Sequence, residues 1–202
     1  MADVNGDGKL DIYICRSADA NAERRKNLLY INNGDLNFSE QAAQYGLADN
    51  GYSTQAAFFD YDKDGDLDIF LINHSLKEYA GDVFTNPTLR KERQPAYASK
   101  LYRNDEGHFI NVSDEAGITN NVLSFGLGLA ISDINLDGWP DVYVSNDFNE
   151  PDYRFGILRT DPTSNRVNML LNKLLLIICI LSGLGYLLTR FMVFPLWKGD
   201  AF

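Results

Sequence analysis

Three times along the chain a polar stretch rich in Asp, Asn and Gly gives way abruptly to a short run of β-branched and aromatic residues. The runs are IYIC from Ile12, IFLI from Ile69 and VYVS from Val142, and their composition predicts strands. AAFF from Ala56 leads into the second polar stretch as a further strand. Two longer blocks, NLLYINNGDLNFSEQAAQYGL (27–47) and SKLYRNDEGHFINVSDEAGI (99–118), align as L-Y-x-N, a Gly turn, Phe, and then A-x-x-x-G or A-G. Repetition at this scale points to stacked supersecondary units. The pattern breaks at LLLIICILSGLGYLLT (174–189), where no charge interrupts 16 residues. With its flank to Trp197 this segment predicts a single apolar helix, a candidate membrane span in which Arg190 would reach the interface.

The polar stretches are themselves copies of one motif. DVNGDGKLD (3–11), DYDKDGDLD (60–68) and DINLDGWPD (133–141) all fit D-x-[DN]-x-D-G-x-x-D. Their starts lie 57 and 73 residues apart, the difference arising mainly from a polar insert that begins at His74. Side-chain oxygens at positions 1, 3 and 5 converge only if the backbone curls tightly. Gly at position 6 permits that curl because it tolerates positive φ. The carbonyl of position 7 then turns inward, and the Asp at position 9 closes the shell. Turn chemistry accounts for one Asp-Gly pair per motif but not for four acidic or amide residues at fixed spacing three times over. Carboxylates about 4 Å apart repel by about 4 kcal/mol at an effective dielectric near 20, so such clusters call for a cation. An all-oxygen cage suits Ca²⁺, whereas Zn²⁺ prefers N or S donors, and the chain has only two His. An EF-hand is excluded. Its position 12 needs a bidentate Glu, but Ile14, Leu71 and Val144 stand there, inside the strand-like runs.

These loops before short strands, the L-Y-x-N blocks and the segment LGLAISDINLDGWPDVYVSNDF resemble the FG-GAP/VCBS repeats of integrin-α-like β-propellers. Within that group the chain is similar to bacterial proteins related to cartilage acidic protein, which often end in an ASPIC/UnbV domain. The resemblance covers about residues 1–153. It implies an all-β fold, an incomplete propeller of about two to three blades, with each motif a Ca²⁺-binding hairpin loop. The implied side-chain ligands are Asp3, Asn5, Asp7 and Asp11 in the first loop; Asp60, Asp62, Asp64 and Asp68 in the second; Asp133, Asn135, Asp137 and Asp141 in the third. Lys9, Asp66 and Trp139 would add main-chain carbonyls. Two departures stand out: no strand precedes the first loop, and RFGILRTDPTSN replaces a further L-Y-x-N block. They lead to the expectation of a fragment or a chimeric reading frame.

Charge sharpens the division. Of 18 basic and 28 acidic residues, six basic and two acidic lie beyond residue 153, so residues 1–153 carry a net charge of −14 and the remainder +4. Acidity of this order speaks against a nucleic-acid partner, which requires a basic face. The expected organisation is a repeat region (1–153), a basic linker (154–173), the apolar helix (174–197) and a short tail (198–202). Cys15 and Cys179 are too few for a disulfide scaffold. No Ser, Cys or acidic constellation surrounds His74 or His108, so nucleophilic catalysis has no residues to carry it.

The expected function is therefore a non-catalytic, calcium-binding module for extracellular adhesion or for binding a protein or glycan. Its expected location is extracellular or in the cell envelope, with membrane anchorage through residues 174–197. The basic residues before that helix would place residues 1–173 in the cytoplasm; a grafted tail reconciles this with loops that need abundant Ca²⁺. The competing readings are a fragment of a carbohydrate-active enzyme using paired carboxylates and a truncated frame without independent function.

Overall fold

The computed structural model describes residues 1–76, 87–118, 121–147 and 152–155. Each β-branched and aromatic run forms a strand. The first sheet is a meander of β1 (Ile12–Ile14), β2 (Leu28–Asn32) and β3 (Phe38–Glu40). The second adds a lead-in strand: β4 (Ser53–Phe59), β5 (Asp68–Asn73), β6 (Lys100–Asp105) and β7 (His108–Asn111). The third comprises β8 (Gly126–Ser132), β9 (Asp141–Asn146) and β10 (Tyr153–Phe155), in the order β8-β9-β10. All neighbouring strands are antiparallel. Single helical turns, α1 (Ala22–Arg25) and α2 (Ala42–Tyr45), and a 3₁₀ turn at Pro87–Lys91 complete the described elements.

The register shows that the sheets are copies. Asp68 lies opposite Phe59 and Asp141 opposite Ser132, both at the start of the strand that follows a loop. In the first sheet an isolated bridge, Ala2 to Asp11, stands in that place. Ile12 pairs with Tyr30 as Ile69 pairs with Tyr102, and Tyr13 with Leu29 as Phe70 with Leu101. β4 and β8 each carry an irregularity at the same point, between Ser53 and Gln55 and between Gly126 and Gly128. Gly126 is required there, because a Cβ would lie 2.6 Å from Ile72 Cγ2. The third sheet runs through the composition change at residue 154: Arg154 pairs with Tyr143, and Phe155 is buried.

Two apolar cores hold the sheets face to face. Leu29, Ile31, Leu47, Ile69, Leu71 and Phe109 fill the space between the first and second sheets. Phe70, Ile72, Leu101, Val142, Val144 and Phe155 fill that between the second and third. β5 is buried along its whole length because its alternate residues serve both cores. That explains why IFLI reads as a continuous apolar run rather than an alternating one.

A buried polar chain links the first two sheets. Asn27 donates to Tyr13 Oη (3.0 Å) and to Ser53 Oγ (2.9 Å), and Ser53 donates to Asn73 Oδ1 (2.7 Å). Asn73 in turn faces Asp49, which accepts from Tyr102 Oη at 2.8 Å and pairs with the Lys100 ammonium. Among the described residues no helix is long and apolar enough to cross a membrane. The apolar helix expected over 174–197 lies outside the described residues, as do Cys179 and the linker beyond Phe155.

Candidate metal centre

Each Asp-rich loop joins the end of a lead-in segment to the strand that follows it. Two positions per loop, not one, adopt positive φ. Position 6 does so as expected at Gly8, Gly65 and Gly138 (83°, 98° and 87°), and position 4 does so at Gly6, Lys63 and Leu136 (72°, 63° and 60°). The second hinge was not legible because Lys and Leu carry no turn signal. Holding a non-Gly residue there costs about 1–2 kcal/mol, so the loop conformation is imposed by its surroundings.

Those surroundings begin with the Asp at position 9. Asp11, Asp68 and Asp141 are 1%, 0% and 3% exposed. One carboxylate oxygen accepts the position-2 amide in every copy, from Val4 (2.9 Å), Tyr61 (2.6 Å) and Ile134 (2.9 Å). In the first two loops the other oxygen accepts a main-chain N–H from the next strand, Asn32 or Asn104, each at 2.8 Å. That main-chain bond asks for no particular side chain; the Asn of L-Y-x-N has its role, which the sequence alone did not reveal, in its own side-chain amide. Asn104 also donates through Nδ2 to the Leu67 carbonyl (3.3 Å) and accepts Gly107 N–H at Oδ1 (2.7 Å); Asn32 does the same with Leu10 and Gly34. Since Asn104 is buried, Asn104→Ala is expected to cost about 1–2 kcal/mol. Urea unfolding checks this, with exposed Asn33→Ala near neutral; equal effects at the two positions contradict the assigned role.

The three loops then diverge. In the first, Asp3 accepts the Asp7 and Gly8 amides (3.0 and 2.8 Å), Asn5 accepts Asp7 N–H (3.1 Å), and Asp7 accepts both Lys9 N–H and Lys9 Nζ. That contact with Lys9 holds the Asp7 carboxyl below its usual range. The third loop repeats the scheme: Asp133 accepts Asp137 and Gly138 N–H, while Asp137 accepts from Trp139 N–H and Asn135 Nδ2. Both loops turn their oxygens onto their own backbone.

The second loop leaves its oxygens open. Besides the Tyr61 N–H bond to Asp68, Asp66 N–H donates to Asp64 Oδ1 (3.1 Å). Asp60 Oδ1, Asp62 Oδ1 and Asp66 Oδ1 are shielded from solvent and have no hydrogen-bond partner. Ligand oxygens of Asp60, Asp62 and Asp68 lie within 4.8 Å of one another. Burial and then the Asp64 charge raise the Asp62 carboxyl, and the same two causes bring Asp66 to about 6. Burial pushes Asp68 to about 7 against the amides of Asn104 and Tyr61, which favour its charged form. Three acids are displaced in one direction, by burial first and by neighbouring carboxylates after it, and the Arg103 charge offsets this only in part at Asp62. The orphaned oxygens and all-oxygen donor set fit a hard divalent cation. Asp66, expected to contribute its carbonyl, also brings its carboxyl to this cluster; the signal was an acid where the sister loops have Lys9 and Trp139.

The loops share one edge of the sheets. Lys63 Nζ leaves its own loop and stands 4.3 Å from the Trp139 ring centroid of the third. Asp3 and Asn5 of the first loop line a cleft of 730 Å³ together with Asp66, Asn104 and His108. No curated protein matches the chain. Residues 3–71, from the first carboxylate of the first loop to Leu71 in β5, match the family model described as an FG-GAP-like repeat.

Proposed function

We propose that the chain is a non-catalytic, calcium-binding repeat module of the β-propeller type, with the second loop as its principal cation site. Asp60, Asp62, Asp64 and Asp68 supply the side-chain ligands, and the Asp66 carboxyl adds charge beside them. The observation that carries this reading is the set of three shielded, unpartnered carboxylate oxygens in the second loop. The first and third loops are secondary sites, because an ion must displace the amides that already occupy their oxygens. Each also has Asn in place of Asp at position 3.

Calcium loops of this kind belong where Ca²⁺ is abundant, so the module acts outside the cell or in the cell envelope, in adhesion or in binding a protein or glycan. Kinship with the cartilage-acidic-protein and ASPIC/UnbV group, and anchorage through residues 174–197, form part of the same proposal. A nucleophilic role for the free thiol is disfavoured, since burial and then the Asp49 carboxylate push Cys15 up to about 12. Calorimetric titration of the chain with CaCl₂ tests the reading. One site tighter than the rest is expected; Asp60→Asn should remove it, and Asp133→Asn should leave it in place. Absence of calcium heat, or a tight site that survives Asp60→Asn, overturns the proposal.

A further inference from the structure

The three loops carry three different charges at position 7, the residue after the turn glycine. There the N–H donates to the position-5 carboxylate in every copy: Lys9 to Asp7 (2.9 Å), Asp66 to Asp64 (3.1 Å) and Trp139 to Asp137 (2.9 Å). The backbone thus holds position 7 against a ligand residue whatever its side chain. That side chain is a cation in the first loop, an anion in the second and a neutral indole in the third.

These side chains treat their loops differently. The Lys9 ammonium turns back onto Asp7 Oδ2 at 3.0 Å, so a positive charge already sits on a carboxylate that an ion would use. In the third loop Asp137 Oδ2 instead accepts from the neutral Asn135 amide at 3.0 Å, while the Trp139 ring faces the Lys63 ammonium. The Asp66 carboxyl keeps one oxygen shielded and without a partner beside Asp60, Asp62 and Asp64. The first and third loops form a matched pair. Both offer Asp, Asn, Asp and Asp at positions 1, 3, 5 and 9, and in both the first Asp accepts the amides of positions 5 and 6. Position 7 alone separates them in charge.

Resting on the calcium-binding reading, we propose that the position-7 side chain sets the calcium affinity of each loop. Lys9 is a built-in counter-ion that suppresses the first site, Asp66 strengthens the second, and the third lies between them. A unit charge about 5 Å from a divalent ion in water changes its affinity about tenfold. Calcium entering the first loop must also break the exposed Lys9–Asp7 pair, which costs up to about fivefold. Affinity therefore falls in the order second, third, first, and the two loops with identical side-chain ligands are not equivalent.

The test is calorimetric titration of the full chain with CaCl₂ at low and at high salt. Asp66→Asn should weaken the tight site about tenfold and Asp66→Lys about a hundredfold. Lys9→Asp should add a second tight site, and Asp3→Asn in the same chain should remove it again. Lys9→Met, which takes away the charge and keeps the length, should bring the first loop level with the third. These differences should shrink between about 0.1 M and about 1 M KCl, as screening of nearby charges requires; a merely structural role for position 7 leaves them unchanged. The proposal is overturned if Asp66→Lys keeps the tight site at wild-type affinity, if Lys9→Asp gains no site, or if the differences are equal at both salt concentrations. In each of those cases a tight site that disappears in Asp60→Asn leaves the calcium reading intact. A wild-type chain without any tight site removes that reading and this inference together.

Discussion

Chelation is expected to lower the unfolding midpoint of the wild-type chain by about 5–10 °C, and Asp62→Asn should reverse the sign of its own effect between the two conditions. At free Ca²⁺ a hundredfold above its dissociation constant, one occupied site contributes about 2.7 kcal/mol. A chain of this size shifts by about 2–4 °C for each kcal/mol. Asp62→Asn removes one charged ligand from the cluster of Asp60, Asp62 and Asp68, so with calcium present it should destabilise by most of that amount. With chelator present the same carboxylate only repels its neighbours, and burial and the Asp64 charge already raise it. Coulomb repulsion of about 4 kcal/mol at 4 Å and a dielectric near 20, reduced by solvent screening to about 1 kcal/mol, is relieved by the amide. The variant should therefore melt about 2–4 °C above wild type in chelator and clearly below it in calcium. Thermal unfolding of both chains, with CaCl₂ and with excess EDTA, measures this. Coincident midpoints for wild type in the two conditions would sink the cation assignment.

The same loop shows how far sequence reasoning carried. Spacing at positions 1, 3, 5 and 9 located the carboxylates, and β-branched runs located the strands, because both signals are local and periodic. The second loop has Asp at all four side-chain positions where the others have Asn at position 3, and the geometry adds a second reason to set it above them. The Asn at position 3 of the first and third loops bonds the position-5 amide, whereas Asp62 leaves an oxygen unpartnered. What was not legible depends on partners distant in sequence. Position 4 bends at Lys63 and Leu136 without glycine because Asp68 and Asp141 pin the amide two residues earlier. The repeated Asn of L-Y-x-N looked like a pattern without a purpose, since its side-chain bond to the Leu67 carbonyl spans 37 residues. The Asp49 network draws on residues scattered between Tyr13 and Tyr102, and Asp49 itself lies outside every repeated motif.

That network carries the largest expected single-residue effect: Asp49→Ala should destabilise the chain by about 3–5 kcal/mol, the range for removing one partner of a buried ion pair. The Asp49 side chain is 3% exposed and that of Lys100 16%. Besides the Lys100 ammonium, Asp49 accepts Gly51 N–H (2.8 Å) and Tyr102 Oη (2.8 Å). Alanine leaves a cation, an amide and a hydroxyl without their acceptor where water reaches poorly. Asp49→Asn retains an acceptor of the same size and should cost about half as much, because only the charge is lost. The pH dependence separates these contributions. Burial works to raise the Asp49 carboxyl, but the Lys100 charge and hydrogen bond, Gly51 and Tyr102 outweigh it and hold the carboxyl below its ordinary range in the folded state. A depressed folded value means the stabilisation is fully present above the unfolded value near 3.9 and is lost as pH falls through the folded value. The stability gap between wild type and Asp49→Asn should thus be constant from neutral pH down to about pH 5 and shrink below about pH 4. Urea unfolding of both chains in EDTA, across that range, isolates the pair from any calcium effect. A gap that is small at neutral pH, or that widens on acidification, would show that apolar packing of Leu29, Ile69 and Leu71 holds the first two sheets together without help from this ion pair.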